Sequence, residues 1–80
     1  MLMPSKHINF SQSLLGFGSY LIGKLKNPMS IDDLWKEYKS DLENQLYYSI
    51  HSFDHLILTL IFLYGVGAIE EENGIIIRCD

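Results

Sequence analysis

The stretch Phe53-Asp-His-Leu-Ile-Leu-Thr-Leu-Ile-Phe-Leu-Tyr64, followed by Val66-Gly-Ala-Ile-Glu-Glu71 and, across Glu72-Asn73-Gly74, by Ile75-Ile-Ile-Arg-Cys79, decides how the chain is read. Its first part begins after Ser52 and sets apolar side chains around nearly the whole circumference of a helix, the pattern of a buried helix. Asp54 lies near the N-terminus, where the helix dipole favours negative charge. Only Asp54, His55 and Thr59 interrupt the apolar run, and His51, His55 and Thr59 share one narrow stripe. The second part is a β-hairpin of two strands, Val66 to Glu71 and Ile75 to Cys79. Asn-Gly supplies the positive φ angles that a two-residue type I′ turn needs. Ile75 to Ile77 is β-branched and suits a pleated surface.

Two more helices precede this unit. From Ser11 to Leu25, Leu14, Phe17, Leu21 and Leu25 fall three or four apart and form one apolar stripe, flanked by Leu15 and Ile22. Gly16, Gly18 and Gly23 each cost about 1 kcal/mol against alanine inside a helix, which close packing of another element would offset. Asn27-Pro28 ends the segment. Ser30 is a natural N-cap for the next helix, with Asp32 and Asp33 in its first turn. Ile31, Leu34, Trp35, Tyr38 and Leu42 then follow helical spacing, with Lys36, Glu37, Lys39, Asp41 and Glu43 on the solvated side and an end near Asn44 to Leu46.

Three helices followed by a two-stranded wing is the order of a winged helix-turn-helix. The expected fold is α+β, mostly α, winged helix-turn-helix-like, with a C-terminal β-hairpin, in one domain over residues 1–80. A generic small α+β bundle shares the order. A short strand near His7 to Phe10 is expected to pair with the hairpin. Eighty residues, 48% of them hydrophobic, suffice for a core but lie near the lower limit for folding without a metal or disulfide. Surplus apolar residues would form a patch that another chain buries.

The single cysteine, Cys79, cannot close an internal disulfide, which argues against a secreted disulfide scaffold. The opening residues lack the charged start and apolar run of a signal peptide. His55 to Ile69, the longest uncharged run, is shorter than the roughly 20 residues that cross a bilayer. These features point to the cytoplasm and away from a membrane span.

The net charge of −4, from six Lys or Arg against ten Asp or Glu, argues against broad phosphate binding. In a DNA-reading winged helix the third helix carries Arg, Lys, Asn or Gln toward base edges and phosphates. None occurs between Phe53 and Tyr64, and the wing tip carries Glu70, Glu71 and Glu72. A protein-contacting domain fits better, with nucleic acid disfavoured as partner. The candidate contacts are Tyr47, Tyr48, Phe53, His55, Phe62 and Tyr64, because aromatic side chains anchor interfaces. The bland alternative is that most of them are core. A DNA-binding transcriptional regulator stays as the alternative function, and a homodimer joined through its own patch as a further one.

Chemistry-bearing motifs are missing. His51 and His55 have the spacing of helical zinc ligands, but no Cys-x-x-Cys or His-Glu-x-x-His accompanies them, and polar helix-start residues are the better reading. Gly16-Phe-Gly18 lacks the strand and third glycine of a phosphate loop. No catalytic residue, metal or cofactor is expected.

The residues in order, Met3-Pro-Ser-Lys-His-Ile8, Ser13-Leu-Leu15 with Gly18, Leu34-Trp35, Phe53-Asp54, Leu60, Leu63-Tyr64, and Gly67-Ala-Ile69 leading to Gly74 and Arg78, resemble the small middle components of bacterial ABC three-component systems. The resemblance covers nearly the whole chain, and its specificity lies in the order and spacing of short motifs. It implies a non-catalytic protein encoded with an ABC-type ATPase and a larger effector, serving in conflict with phage or mobile elements. Lys6 and His7 match the family's opening motif, which implies a contact surface there; a strand tethering the N-terminus to the wing is the alternative.

Overall fold

Ser30 and Ser52 mark where the chain turns into its second and third helices. Each side-chain hydroxyl accepts the backbone N–H three residues on, Asp33 at 3.1 Å and His55 at 3.0 Å, satisfying donors that a helix start leaves open. The computed structural model describes residues 10–79. Its elements are α1 (Phe10–Lys24), β1 (Met29–Ser30), α2 (Ile31–Glu43), α3 (Phe53–Gly65), β2 (Ile69–Glu72) and β3 (Ile75–Arg78).

All four stripe residues of α1, Leu14, Phe17, Leu21 and Leu25, are buried. They meet Leu34 and Tyr38 of α2, Leu56, Leu60 and Leu63 of α3, and Ile69 and Ile76 of the sheet in one core. A Cβ on Gly18 would lie 3.1 Å from Leu63 Cδ2, so glycine lets α1 and α3 approach closely. Gly16 and Gly23 face open space, and close packing does not explain them.

The sheet is antiparallel in the order β1-β3-β2. Asn73 and Gly74, at φ of 52° and 84°, connect β2 to β3 as the Asn-Gly signal predicts. The hairpin is shorter than its sequence pattern. Helix α3 runs to Gly65 and Val66 caps it, because the Val66 N–H still bonds the Phe62 carbonyl at 3.1 Å.

The strand expected near His7 to Phe10 does not extend to Phe10, which opens α1, and its other residues lie outside the described ones. The sheet edge beside β3 is held by Met29 and Ser30, paired with Ile76 and Ile75. Pro28 breaks the helical pattern and the chain runs extended into α2, which places Met29 against the core.

Helix α3 also departs from the expectation of a wholly buried helix. Leu56, Thr59, Leu60 and Leu63 are buried, whereas Leu58, Ile61 and Tyr64 are exposed. Two other helices and a narrow sheet cover only part of its circumference, as surface scaling dictates for a small domain. The architecture is α+β and mostly α, three helices with the antiparallel hairpin after them.

Candidate interaction surface

On the side where α1 meets α2, polar and aromatic groups satisfy one another. Asp41 of α2 accepts a hydrogen bond from the Tyr20 hydroxyl and lies 2.9 Å from Lys24 Nζ, which also reaches Glu37 at 3.2 Å. The Tyr20 hydroxyl and the Lys24 ammonium hold the Asp41 carboxyl below its usual range. Burial and the Asp41 carboxylate push the Tyr20 phenol up.

Next to this group the rings stack. Tyr47 lies 4.1 Å from Tyr20, His51 lies 4.0 Å from Phe17, and His55 lies 4.8 Å from His51, all between ring centroids. The Tyr38 hydroxyl donates to the Ser49 carbonyl at 2.9 Å and accepts from the His51 N–H, tying the α2–α3 loop to the core. His55 Nε2 is 3.0 Å from Ser13 Oγ. The buried His51 Nε2 has no hydrogen-bond partner among the described residues. Burial, helped by His55, pushes the His51 imidazole below its ordinary value. The two histidines are therefore ring partners of Phe17 rather than merely polar residues at a helix start.

The other side is open and apolar. Ile61 and Tyr64 are 61% and 62% exposed, and Leu58 lies one turn away on α3. Between α3 and the sheet runs a groove of about 190 Å³ lined by Ile57, Ile61, Tyr64, Ile69 and Ile76, with Glu71 its one charged residue. A larger groove of about 490 Å³ lies between α1 and the end of α3, with Leu15, Ile22, Phe62 and Val66 on its walls. Away from both grooves, Tyr48 and Ile50 of the α2–α3 loop are 81% and 86% exposed, and Leu46 is also exposed.

The contacts expected from sequence fall into three sets. Tyr48, Tyr64 and Phe53 are exposed, Phe53 as much as Leu58, with its ring edge-on to Trp35 at 5.3 Å. Tyr47, His55 and Phe62 are half-buried, Tyr47 and Phe62 packed against the core and His55 stacked over Phe17. Lys6 and His7 lie outside the described residues. Leu58, Ile61, Leu46 and Ile50 are exposed as well and were not among the contacts expected from sequence. In a helix apolar on all sides, spacing alone does not reveal which face stays open. The run Leu46-Tyr-Tyr-Ser-Ile50 did carry a signal: consecutive apolar residues in a loop with no helical period.

The electrostatics of this side suit protein better than phosphate. Glu70, Glu71 and Glu72 are exposed on the wing, and Arg78 directs Nη1 inward to the Ile22 carbonyl at 3.4 Å. Among the described residues no group of His, Cys, Asp and Glu could hold a metal ion. No helix among them is long and apolar enough to cross a membrane.

Comparison with known proteins yields one assignment. No curated protein and no solved structure matches the chain. The family model of the ABC-three component (ABC-3C) system Middle Component 6 matches residues 3–79, almost the whole sequence and the elements that build both sides. The chain belongs to the ABC-3C Middle Component 6 family.

Proposed function

We propose that this middle component is a non-catalytic, cytoplasmic adaptor that links an ABC-type ATPase to an effector in a bacterial system directed against phage or mobile elements. One observation supports the reading above others: the outward face of α3 carries Leu58, Ile61 and Tyr64 and no cationic or amide side chain. A contiguous open apolar face marks a protein contact in a domain that otherwise buries its core. Tyr48, Phe53 and Tyr64 are the anchors among the aromatic residues, with Lys6 and His7 of the family's opening motif as further contacts.

Co-expression with the neighbouring ATPase and effector, followed by nuclease treatment and affinity capture of a tagged chain, tests the reading. Stoichiometric co-purification of either component is the expected result. An inert monomer that captures neither would overturn it. The order of elements favours a second reading, a DNA-binding regulator. Salt-sensitive binding to duplex DNA would establish that reading, and its absence at low salt would end it.

A further inference from the structure

The register of the hairpin fixes which backbone groups of β2 face outward. The Cys79 N–H donates to the Ala68 carbonyl at 2.9 Å, and the pairing runs Ile69 with Arg78, Glu70 with Ile77, Glu71 with Ile76 and Glu72 with Ile75. In an antiparallel ladder, hydrogen-bonded and non-hydrogen-bonded pairs alternate. Glu70 and Glu72 therefore direct their N–H and C=O groups to β3, whereas those of Ile69 and Glu71 point to the free edge of the sheet. Among the described residues, no strand pairs with that edge.

The same two residues turn their side chains to the groove against α3. The apolar surface of α3 extends there through the exposed Ile61 and Tyr64. The sheet is thus narrower than the helix face beneath it. We infer that the β2 edge accepts an extended segment of a partner protein as a fourth strand, with apolar residues alternating with Lys or Arg. The apolar side chains of that strand would cover Ile61 and Tyr64, and its backbone would pair with Ile69 and Glu71.

Charge selects the partner. From Ser40 onward the sequence contains Asp41, Glu43, Asp54, Glu70, Glu71, Glu72 and Asp80 against Arg78 alone. A second copy pairing edge to edge would set its own Glu70 to Glu72 against these three, and like charges directly opposite each other destabilise a strand pair. A basic strand meets the opposite situation. Main-chain bonds supply affinity in such strand addition, and alternate side chains supply specificity.

The inference deepens the adaptor reading, and the edge can be tested apart from it. The probe is a capped peptide of about eight residues, a common strand length, alternating valine and lysine, added to the full chain while amide exchange is followed by NMR. The Ile69 and Glu71 amides are expected to slow by about tenfold or more, with little change at Glu70 and Glu72, which β3 already protects. Glu71→Pro, which removes an outward-facing donor at a position where an edge strand tolerates proline, should abolish the slowing at Ile69. The inference is overturned if those two amides do not slow. It is also overturned if a valine–glutamate peptide, or a helical leucine–lysine peptide, protects them equally. Protection of the edge without capture of the ATPase or effector would sink the adaptor reading alone; capture without edge protection would sink this inference alone.

Discussion

Where α1 meets α2, the Tyr20 hydroxyl, the Lys24 ammonium and the Asp41 carboxylate close on one another, and Phe17 is sandwiched among Tyr20, Tyr38 and two imidazoles. Where α3 meets the wing, Ile61 and Tyr64 stand in solvent, and Glu71 is the one charged residue of the groove beside them. Both sides are rich in large side chains. They differ in whether those side chains find partners within the chain. Stability is therefore expected to concentrate on the first side, the adaptor reading assigns partner binding to the second, and mutation can separate the two.

The largest effect on stability is expected from Phe17→Ala. It removes a ring 1% exposed at the centre of the stacked cluster and should cost about 3–5 kcal/mol in urea unfolding. A loss below about 1 kcal/mol would mean that the cluster contributes little, and the contrast between the two sides would fail. Asp41→Asn comes next. It keeps the shape but removes the charge that Lys24 and Tyr20 share, for an expected loss of about 1–3 kcal/mol in the same assay. At neutral pH, Lys24→Met in the Asp41→Asn background should then cost less than in the wild type, because the partner charge is already gone.

Acid acts on the same side. His51 is kept neutral by burial, so below its unfolded value of 6.5 the unfolded chain takes up a proton that the native chain resists. The contribution is intact above that pH and is lost progressively as pH falls toward the lowered native value. Melting temperature should therefore drop between neutral and mildly acidic pH, and His51→Gln should flatten the slope. An unchanged slope in that variant would remove His51 from the account. Protonation of Asp41, whose carboxyl is held below its usual range, follows at lower pH.

The smallest effect on stability is expected at Ile61→Ser, within about 0.5 kcal/mol, because its side chain is already in water. If Ile61 is an anchor, the same change weakens capture of a partner by ~2 kcal/mol, some thirtyfold. A variant that unfolds, or one that binds as well as wild type, would erase the division of labour.

Much of the fold was legible because its signals were local. Ser30, Asn27-Pro28 and Asn73-Gly74 act on their immediate neighbours, and each does what its chemistry prescribes. The edge strand β1 was not read because a two-residue strand has no period to read. Met29 and Ser30 are strand only because Ile75 and Ile76 lie beside them. The exposed apolar surface was half legible for a related reason. Tyr48 and Tyr64 were named from residue type, but Tyr47 differs from Tyr48 only in being able to reach Tyr20, a contact set by the tertiary turn of the loop. The imidazole stack was missed on the same grounds, since neither histidine's spacing encodes Phe17 as its neighbour.

The short pairing of Met29 with Ile76 also has a consequence in time. The connection between the first two helices is finished by a strand that follows the third helix and the first arm of the hairpin in the chain. Contacts so distant in sequence form late, since the intervening chain must first be ordered. In folding, the helices can collapse together while the α1–α2 junction still lacks its neighbour and the inner faces of Ile69 and Ile76 are not yet in place. The wing is thus the clasp that locks an earlier fold, and a fault at its turn would be felt at the opposite edge of the sheet.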